Sequence, residues 1–272
     1  MNDRRRWQGA GASVRGAAHE RSGMPNQDAI HWIGNGSSLV LAVADGHGSV
    51  RYPRSHIGAR IAVEKATQLV HEFVLAQMDA ENLSLVKRAA EEWLPRALVR
   101  SWRIEAVEHI AANPLSEDEL NALGRDAELI RAYGATIVTA AVSERFVLYL
   151  QLGDGEILTV SDEGVVSKPL TKDDRLFGNE TTSLCTSNAW SDFRVSFQPI
   201  TNEHPALILL VTDGYPNSFR DEAGFLKVGT DILETIRTEG LGHVKDNLEV
   251  WLSDSTRAGS GDDVTLGILC SV

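Results

Sequence analysis

The run Leu39-Val-Leu-Ala-Val-Ala44 ends abruptly at Asp45-Gly46-His47-Gly48. A short aliphatic run that is bounded by Asp and Gly predicts a buried β-strand. The strand therefore delivers a carboxylate, two glycines and a histidine to its end. Glycine permits a sharp turn and a close approach of the backbone to a ligand, and a histidine between two glycines is freely placed.

Aspartates recur beside other predicted strands. Asp-Gly is the commonest turn dipeptide, so each instance alone indicates only a turn. The set is more informative, because converging strand ends would bring five carboxylates to one edge of the sheets: Asp28, Asp45, Asp154, Asp213 and Asp262. Such a cluster is unfavourable without counter-charge. Hard oxygen ligands suit Mg²⁺ or Mn²⁺, so the pattern predicts a site for these ions.

The rest of the chain predicts long helices between runs of strands. Strands are predicted at 39–44, 135–142, 146–152, 156–160, 207–212 and 264–269. Helices are predicted at 55–78, 85–111, 117–131, 222–238 and 243–252, with Pro95 kinking or dividing the second. This order favours layers of helix on layers of sheet, and the absence of strict β-α alternation argues against a doubly wound parallel sheet.

Composition narrows the class of protein. The 272 residues carry a net charge of −12, which disfavours nucleic acid as a partner. Cys185 and Cys270 stand outside any CxxC pattern, as is typical of a reducing compartment. The first residues lack the apolar core of a secretory signal, and no apolar run is long enough to span a membrane. We therefore expect a cytoplasmic protein with no membrane partner.

Six motifs carry a resemblance to a known family. They are Asn26-Gln-Asp-Ala, Asp45-Gly-His-Gly-Ser, Gly134-Ala-Thr, Gly153-Asp-Gly, Thr212-Asp-Gly and Asp262-Asp-Val-Thr. In order and interval they resemble the PP2C family of metal-dependent Ser/Thr protein phosphatases. The opening stretch Gly11–His19, together with Pro25-Asn-Gln-Asp, is similar to the compact bacterial branch of that family. The resemblance implies an α+β fold, a four-layer α-β-β-α sandwich of two mostly antiparallel sheets flanked by helices, with residues 1–272 forming one phosphatase domain.

The resemblance also implies the ligands of two Mg²⁺ or Mn²⁺ ions. Asp45 would bridge both ions, and the carbonyl of Gly46 would bind one of them. Asp213 and Asp262 would hold the other ion. Asp263 stands where the family often has Asn, so Asp262 is the expected ligand and Asp263 the alternative.

Two further aspartates have weaker implied roles. Asp28 would lie in the first or the second coordination shell. Asp154 matches the position that helps to bind a third, weaker ion in bacterial members. Gln27 stands where some members have Glu, so one metal contact would run through water.

The implied reaction is hydrolysis of phosphoserine or phosphothreonine without a phospho-enzyme. Two cations lower the pKa of a water held between them, and the resulting hydroxide attacks phosphorus in line. His47 would be the general acid that protonates the leaving alkoxide. The implied substrate is a phosphorylated protein, and a Ser/Thr kinase is a plausible signalling partner by analogy.

The chain departs from the family pattern at places that bear on substrate binding. The family commonly has a phosphate-binding arginine shortly before Asn-(Glu/Gln)-Asp; Arg21 is the candidate here, although it aligns only with a shift. Gly153-Asp-Gly-Glu replaces Gly-Asp-Ser-Arg. The polar stretch 170–189 corresponds to a flap beside the cleft, which we expect to tune substrate choice.

Two other functions are compatible with the same residues. The carboxylates alone would suit a two-metal phosphoesterase that acts on small molecules, because a fold does not determine a substrate. A non-catalytic regulatory module on the same fold is the second alternative. The loss of a principal ligand would mark such a module, whereas Asp45, Asp213 and Asp262 are all present together with His47.

Overall fold

Two five-stranded antiparallel sheets face each other at the centre of the molecule. The computed structural model describes residues 6–35, 37–124, 126–171, 181–200 and 204–271. The first sheet has the order β1-β10-β9-β6-β7 and the second has the order β2-β3-β4-β5-β8. The first consists of β1 (Trp7–Val14), β10 (Val264–Ser271), β9 (Leu207–Val211), β6 (Glu156–Val160) and β7 (Val166–Ser167). The second consists of β2 (Ala29–Asn35), β3 (Ser38–Ala44), β4 (Ile137–Ser143), β5 (Phe146–Leu152) and β8 (Arg194–Pro199).

Strand β3 shows why the central strands have unbroken apolar sequences. Its side chains at 39, 41 and 43 belong to the core between the sheets, whereas those at 40, 42 and 44 belong to the cores under the helices. Successive residues of a strand point to opposite faces. A strand that is covered on both faces therefore loses the apolar–polar alternation of a half-exposed strand.

Helices cover both outer faces. The second sheet carries α2 (Ser55–Ala76), with α3 (Leu83–Glu92), α4 (Leu94–Ala112) and α5 (Glu117–Leu123) alongside. The first sheet carries α6 (Glu222–Ala258), and α1 (Ala17–Ser22) contacts α6. Three short 3₁₀ segments lie at Leu129–Tyr133, Ala189–Asp192 and Pro216–Ser218. The layers thus run helix, sheet, sheet, helix, which confirms the predicted α+β sandwich.

The helix predictions hold with one correction. A break at Trp93 divides the helix predicted at 85–111 into α3 and α4, with Pro95 in the first turn of α4. The helices predicted after residue 222 are joined in α6 but separated by a kink at Gly240, where φ is +87°. The helix predicted at 117–131 begins as expected but is shorter than predicted: α5 ends at Leu123, and a separate 3₁₀ segment lies at Leu129–Tyr133.

The capping at α5 explains the short helix. Ser116 and Glu119 form a capping box at the start of α5, and Gly124, with φ +99°, follows its last residue.

The sequence analysis did not predict strands β1, β2 and β8, helix α1 or the short strand β7. Among the described residues, no helix is long and apolar enough to cross a membrane.

Candidate active site

Strand register brings the predicted aspartates to one edge of the sandwich. In the second sheet, Val43 pairs with Val138 and Ile137 pairs with Leu152, so Asp45 and Gly153 lie at the same end. In the first sheet, Val211 pairs with both Glu156 and Leu266, so the turns before β6 and β10 meet the turn after β9. The result is a cleft of about 1480 Å³ at this edge. Its lining includes His47 and four of the five predicted aspartates: Asp45, Asp154, Asp213 and Asp262.

These carboxylates destabilise one another's charged forms. Burial raises the pKa of Asp45 well above its ordinary value, and the neighbouring carboxylates raise it further. Burial, with Asp154 and Asp262 nearby, raises the pKa of Asp213 to about 7. Burial also raises the pKa of Asp262. No Lys or Arg among the described residues forms an ion pair with any of the four. Bound cations would therefore relieve the repulsion among these carboxylates.

Backbone and side-chain hydrogen bonds hold the turn after β3, where Asp45 N–H donates to the Thr136 hydroxyl and Gln27 Nε2 donates to the His47 carbonyl. Gly46 N–H donates to the Gln27 carbonyl at 3.1 Å, and His47 N–H donates to the Gly134 carbonyl at 3.1 Å. A Cβ on Gly46 would lie 2.6 Å from the Ser55 carbonyl and 2.8 Å from the Gln27 oxygen. Only glycine fits there. The Gly46 carbonyl accepts no hydrogen bond from the described residues, so it is available to a cation.

Asp28 lies beneath the cleft and is not part of its lining. Its Oδ2 accepts hydrogen bonds from the hydroxyls of Thr212, at 2.6 Å, and Thr265, at 2.7 Å. Burial raises the pKa of Asp28 well above its ordinary value, and the two hydroxyls lower it in part. The arrangement suits a residue that supports the ligand loops from the second shell better than one that binds an ion directly.

The two adjacent aspartates just before β10 have different surroundings. Asp263 is 3% exposed, and its two oxygens accept hydrogen bonds from Gly16 N–H and Gln27 N–H, each at 2.6 Å. Asp262 is exposed and lines the cleft. Both oxygens of Asp263 are thus used to hold backbone, which favours Asp262 as the ligand.

His19 also contacts Asp263, with Nδ1 at 2.9 Å from Oδ1. Among the described residues, the trio of His19, Asp262 and Asp263 is the group of potential ligands whose atoms all lie within 4.8 Å of one another. We do not assign an ion to this trio, because Asp263 already accepts two backbone hydrogen bonds. No other three potential ligand residues among the described residues come this close together.

His47 lines the cleft beside the aspartates. Its ring packs edge-on against Tyr52, with 4.7 Å between the ring centroids. Burial lowers the pKa of His47; Asp154 opposes this shift and Arg131 adds to it. A half-buried histidine that is oriented by an aromatic neighbour and by its own backbone is a plausible proton donor in this cleft.

The sequence motifs did not point to the cations that line the cleft, which are Arg131, Lys168 and Arg194. Arg21, the predicted phosphate-binding residue, is exposed on α1 and is not among the lining residues. The only local signal for Arg131 was its position three residues before the motif Gly134-Ala-Thr.

Part of the predicted flap also borders the cleft. The Thr181 hydroxyl donates to Asp154 Oδ1 at 3.0 Å, and Ser183 and Cys185 line the cleft. Residues 172–180, the rest of the central flap, lie outside the described residues. The described part thus connects this segment to the aspartate that was predicted to help bind a third ion.

Comparison with known proteins assigns the family. The sequence profile described as "Protein phosphatase 2C" matches residues 15–253, most of the chain. The chain therefore belongs to the protein phosphatase 2C family, as its motifs predicted. Asp262 and Asp263 lie beyond the matched range. No curated protein sequence matches the chain.

Solved structures of bacterial phosphatases share the fold. The serine/threonine phosphatase Stp1 from Staphylococcus aureus is 16% identical, with a TM-score of 0.59 over 97% of this chain and 94% of that chain. The catalytic domain of the serine/threonine protein phosphatase PstP, solved with two manganese ions, is 20% identical, with a TM-score of 0.55 over 98% and 99%. PppA from Pseudomonas aeruginosa is 15% identical, with a TM-score of 0.56 over 98% of each chain. At these identities the likeness concerns the fold.

Proposed function

We propose that the chain is a metal-dependent protein phosphatase that hydrolyses phosphoserine or phosphothreonine, with residues 1–272 acting as one domain. The observation that carries the proposal is the cleft. In a member of this family, four carboxylates that lack Lys or Arg partners among the described residues line one cleft together with His47. Such an arrangement suits bound divalent cations and an anionic substrate.

The chain offers a ligand set for two Mg²⁺ or Mn²⁺ ions. Asp45 would contact both ions, the Gly46 carbonyl one of them, and Asp213 and Asp262 the other. Asp154 would serve a third, weaker site, and Asp28 would support the loops through Thr212 and Thr265. When bound, the ions neutralise phosphate charge and supply hydroxide near neutral pH. The two manganese ions of the PstP structure support this choice of metal and number.

His47 would protonate the leaving oxygen of the substrate. Its backbone N–H is fixed to Gly134 and its ring is held by Tyr52, so the imidazole is positioned before substrate binds. Burial lowers the pKa of His47, which makes the protonated ring a stronger acid. A phosphate dianion in the cleft would favour the protonated form through its opposite charge.

The proposed substrate is a phosphorylated protein, with a Ser/Thr kinase as the opposing enzyme. The serine/threonine phosphatase relatives support this substrate class. The free thiols of Cys185 and Cys270 agree with the expected cytoplasmic location. The small-molecule phosphoesterase remains the alternative, because the carboxylates alone would serve either substrate.

Hydrolysis assays test the proposal. We expect the purified protein to hydrolyse p-nitrophenyl phosphate and a phosphothreonine peptide with Mn²⁺ or Mg²⁺, and EDTA to abolish both activities. Asp45→Asn should be inactive, whereas Asp126→Asn, a carboxylate elsewhere on the cleft lining, should stay active. A folded protein that hydrolyses neither substrate would support a regulatory module. Activity on small phosphate esters alone would favour the alternative enzyme.

A further inference from the structure

The cleft lacks the phosphate-binding arginine at its family position, and its remaining cations differ in what they already bind. Lys168 Nζ pairs with Glu156 at 3.2 Å and with Glu222 at 2.7 Å. The guanidinium of Arg194 donates to the carbonyls of Thr171, at 2.8 Å, and Gly153, at 3.0 Å. Both side chains are therefore occupied in holding the cleft wall.

Arg131 is the exception. It is half-buried in the cleft lining, and no ion pair joins it to the described residues. Its guanidinium carbon lies 5.5 Å from the centroid of the Tyr52 ring, within the range of a cation–π contact. Its side-chain N–H groups donate to no carbonyl or carboxylate among the described residues, so they stay available to a ligand. A planar guanidinium with free donors is the group that best matches two phosphate oxygens.

The surroundings place this cation close to the proposed proton donor. Tyr52 contacts Arg131 and also packs on His47, so one ring orients both side chains. Gly134, three residues after Arg131, accepts from His47 N–H. The bound phosphate would extend from the metal ligands toward His47. A cation beside His47 could neutralise the charge on the phosphate oxygens that the metal ions do not contact.

A buried network makes the Arg131 segment rigid. Arg54 donates to both oxygens of Glu119, at 2.7 Å and 2.8 Å, and to the Tyr133 hydroxyl at 3.0 Å. His109 Nδ1 shares a hydrogen bond with the same hydroxyl at 2.7 Å. The backbone N–H of Arg54 also donates to the Ala132 carbonyl at 2.9 Å. The backbone directly after Arg131 is thus fixed, which limits the region that the Arg131 side chain can reach.

We propose that Arg131 binds the substrate phosphate and takes the place of the family's missing arginine. The inference rests on the proposed phosphatase function. The ligand class is a phosphate monoester, and inorganic phosphate is its simplest probe. Arg21, exposed on α1, is the competing candidate from the sequence.

The test compares Arg131→Ala, Arg131→Lys, Arg21→Ala and Arg100→Ala, the last being an exposed arginine of α4 that controls for the change in net charge. Binding of inorganic phosphate is measured by calorimetry on the Mg²⁺-loaded protein, which needs no catalysis. We expect Arg131→Ala to weaken binding by about tenfold to a hundredfold, as for other lost hydrogen bonds to charged groups. Arg131→Lys should be intermediate, and the remaining two variants should match wild type.

Steady-state kinetics on a phosphopeptide give a second readout. The KM of Arg131→Ala should rise by a similar factor, while the Mg²⁺-induced increase in Tm stays as in wild type. Wild-type phosphate affinity in Arg131→Ala would overturn the inference, and so would a loss that appears only in Arg21→Ala. If wild type binds phosphate through Arg131 but hydrolyses no phosphoester, the proposed function fails, and Arg131 is confirmed as a phosphate-binding residue but not as one that binds a substrate.

Discussion

Substitutions of the two neighbouring aspartates just before β10, Asp262 and Asp263, should separate the stability of the fold from metal binding and catalysis. In Asp263→Asn, one of the two backbone donors, Gly16 N–H or Gln27 N–H, would face an amide NH₂ in place of an oxygen. Hydrogen bonds to a charged group contribute about 1.5–3 kcal/mol each, and a buried donor without an acceptor costs about 1–3 kcal/mol. We therefore expect Asp263→Asn to lower the free energy of unfolding by about 2–4 kcal/mol.

The matched variant is Asp262→Asn. This change removes one charge from a set of mutually repelling carboxylates, so the metal-free protein should be as stable as wild type or slightly more stable. Phosphatase activity and the increase in Tm caused by Mn²⁺ should both be lost. Asp263→Asn should keep much of its specific activity at temperatures where it remains folded.

Urea unfolding in EDTA, followed by circular dichroism, measures the loss of stability in Asp263→Asn. Thermal unfolding with and without Mn²⁺ measures the loss of the metal response in Asp262→Asn. A loss of 2–4 kcal/mol corresponds to a decrease in Tm of about 3–7 °C for a chain of this size. The reasoning fails if Asp263→Asn is as stable as wild type but loses the Mn²⁺ response, while Asp262→Asn keeps that response. Asp263 would then be the ligand, as the family alternative allows.

Three further predictions concern metal, geometry and pH. Mn²⁺ at about 100 times its Kd should stabilise the protein by about 2.7 kcal/mol, which EDTA should reverse and Asp45→Asn should abolish; an unchanged Tm in wild type would contradict the metal site. In Gly134→Ala, the new Cβ would lie 2.7 Å from His47 Cδ2 and should displace the imidazole ring. The kcat should therefore fall by more than tenfold, while the stabilisation by metal persists. A wild-type kcat would argue against a fixed imidazole. Hydrogen bonds from Arg54 lower the pKa of Glu119 to about 2, so this carboxylate contributes stability above pH 4.5 that is lost as pH falls toward 2. Urea midpoints should show a gap between wild type and Glu119→Gln at pH 7 that narrows by pH 3, and a gap independent of pH would refute the assignment.

The central strands could be predicted from sequence because burial on both faces leaves a local signal. The strands β3, β5 and β9 are buried throughout, and their residues are apolar except for Ser38 in β3 and Gln151 in β5. Strand β1 has no such signal, since it reads WQGAGASV. Its small residues follow from tertiary packing: a Cβ on Gly11 would lie 2.4 Å from Ile30 Cδ1. That requirement depends on β2 and β10, so the local sequence of β1 could not reveal the strand.

The convergence of the aspartates proposed as ligands was predictable for a similar reason. Each stands beside a strand with a strong local pattern, and strand ends in a sandwich converge. The choice between Asp262 and Asp263 depended on whether backbone donors from Gly16 and Gln27 reach the second carboxylate. These donors lie almost the full length of the chain away in sequence, so only the fold could separate the two aspartates.

Glu156 shows how a departure from the family pattern can be compensated within the fold. It replaces the arginine of Gly-Asp-Ser-Arg, which adds negative charge to a cleft that must admit phosphate. Lys168, from just after β7, lies 3.2 Å from Glu156 and also pairs with Glu222. Burial disfavours the ammonium of Lys168, but its two carboxylate partners outweigh burial and raise its pKa, so the lysine stays charged. Because Lys168 is committed to this compensation, phosphate recognition would come from another cation. Arg131 is the lining arginine whose side chain donates to no carbonyl or carboxylate among the described residues, whereas Arg194 donates to two carbonyls.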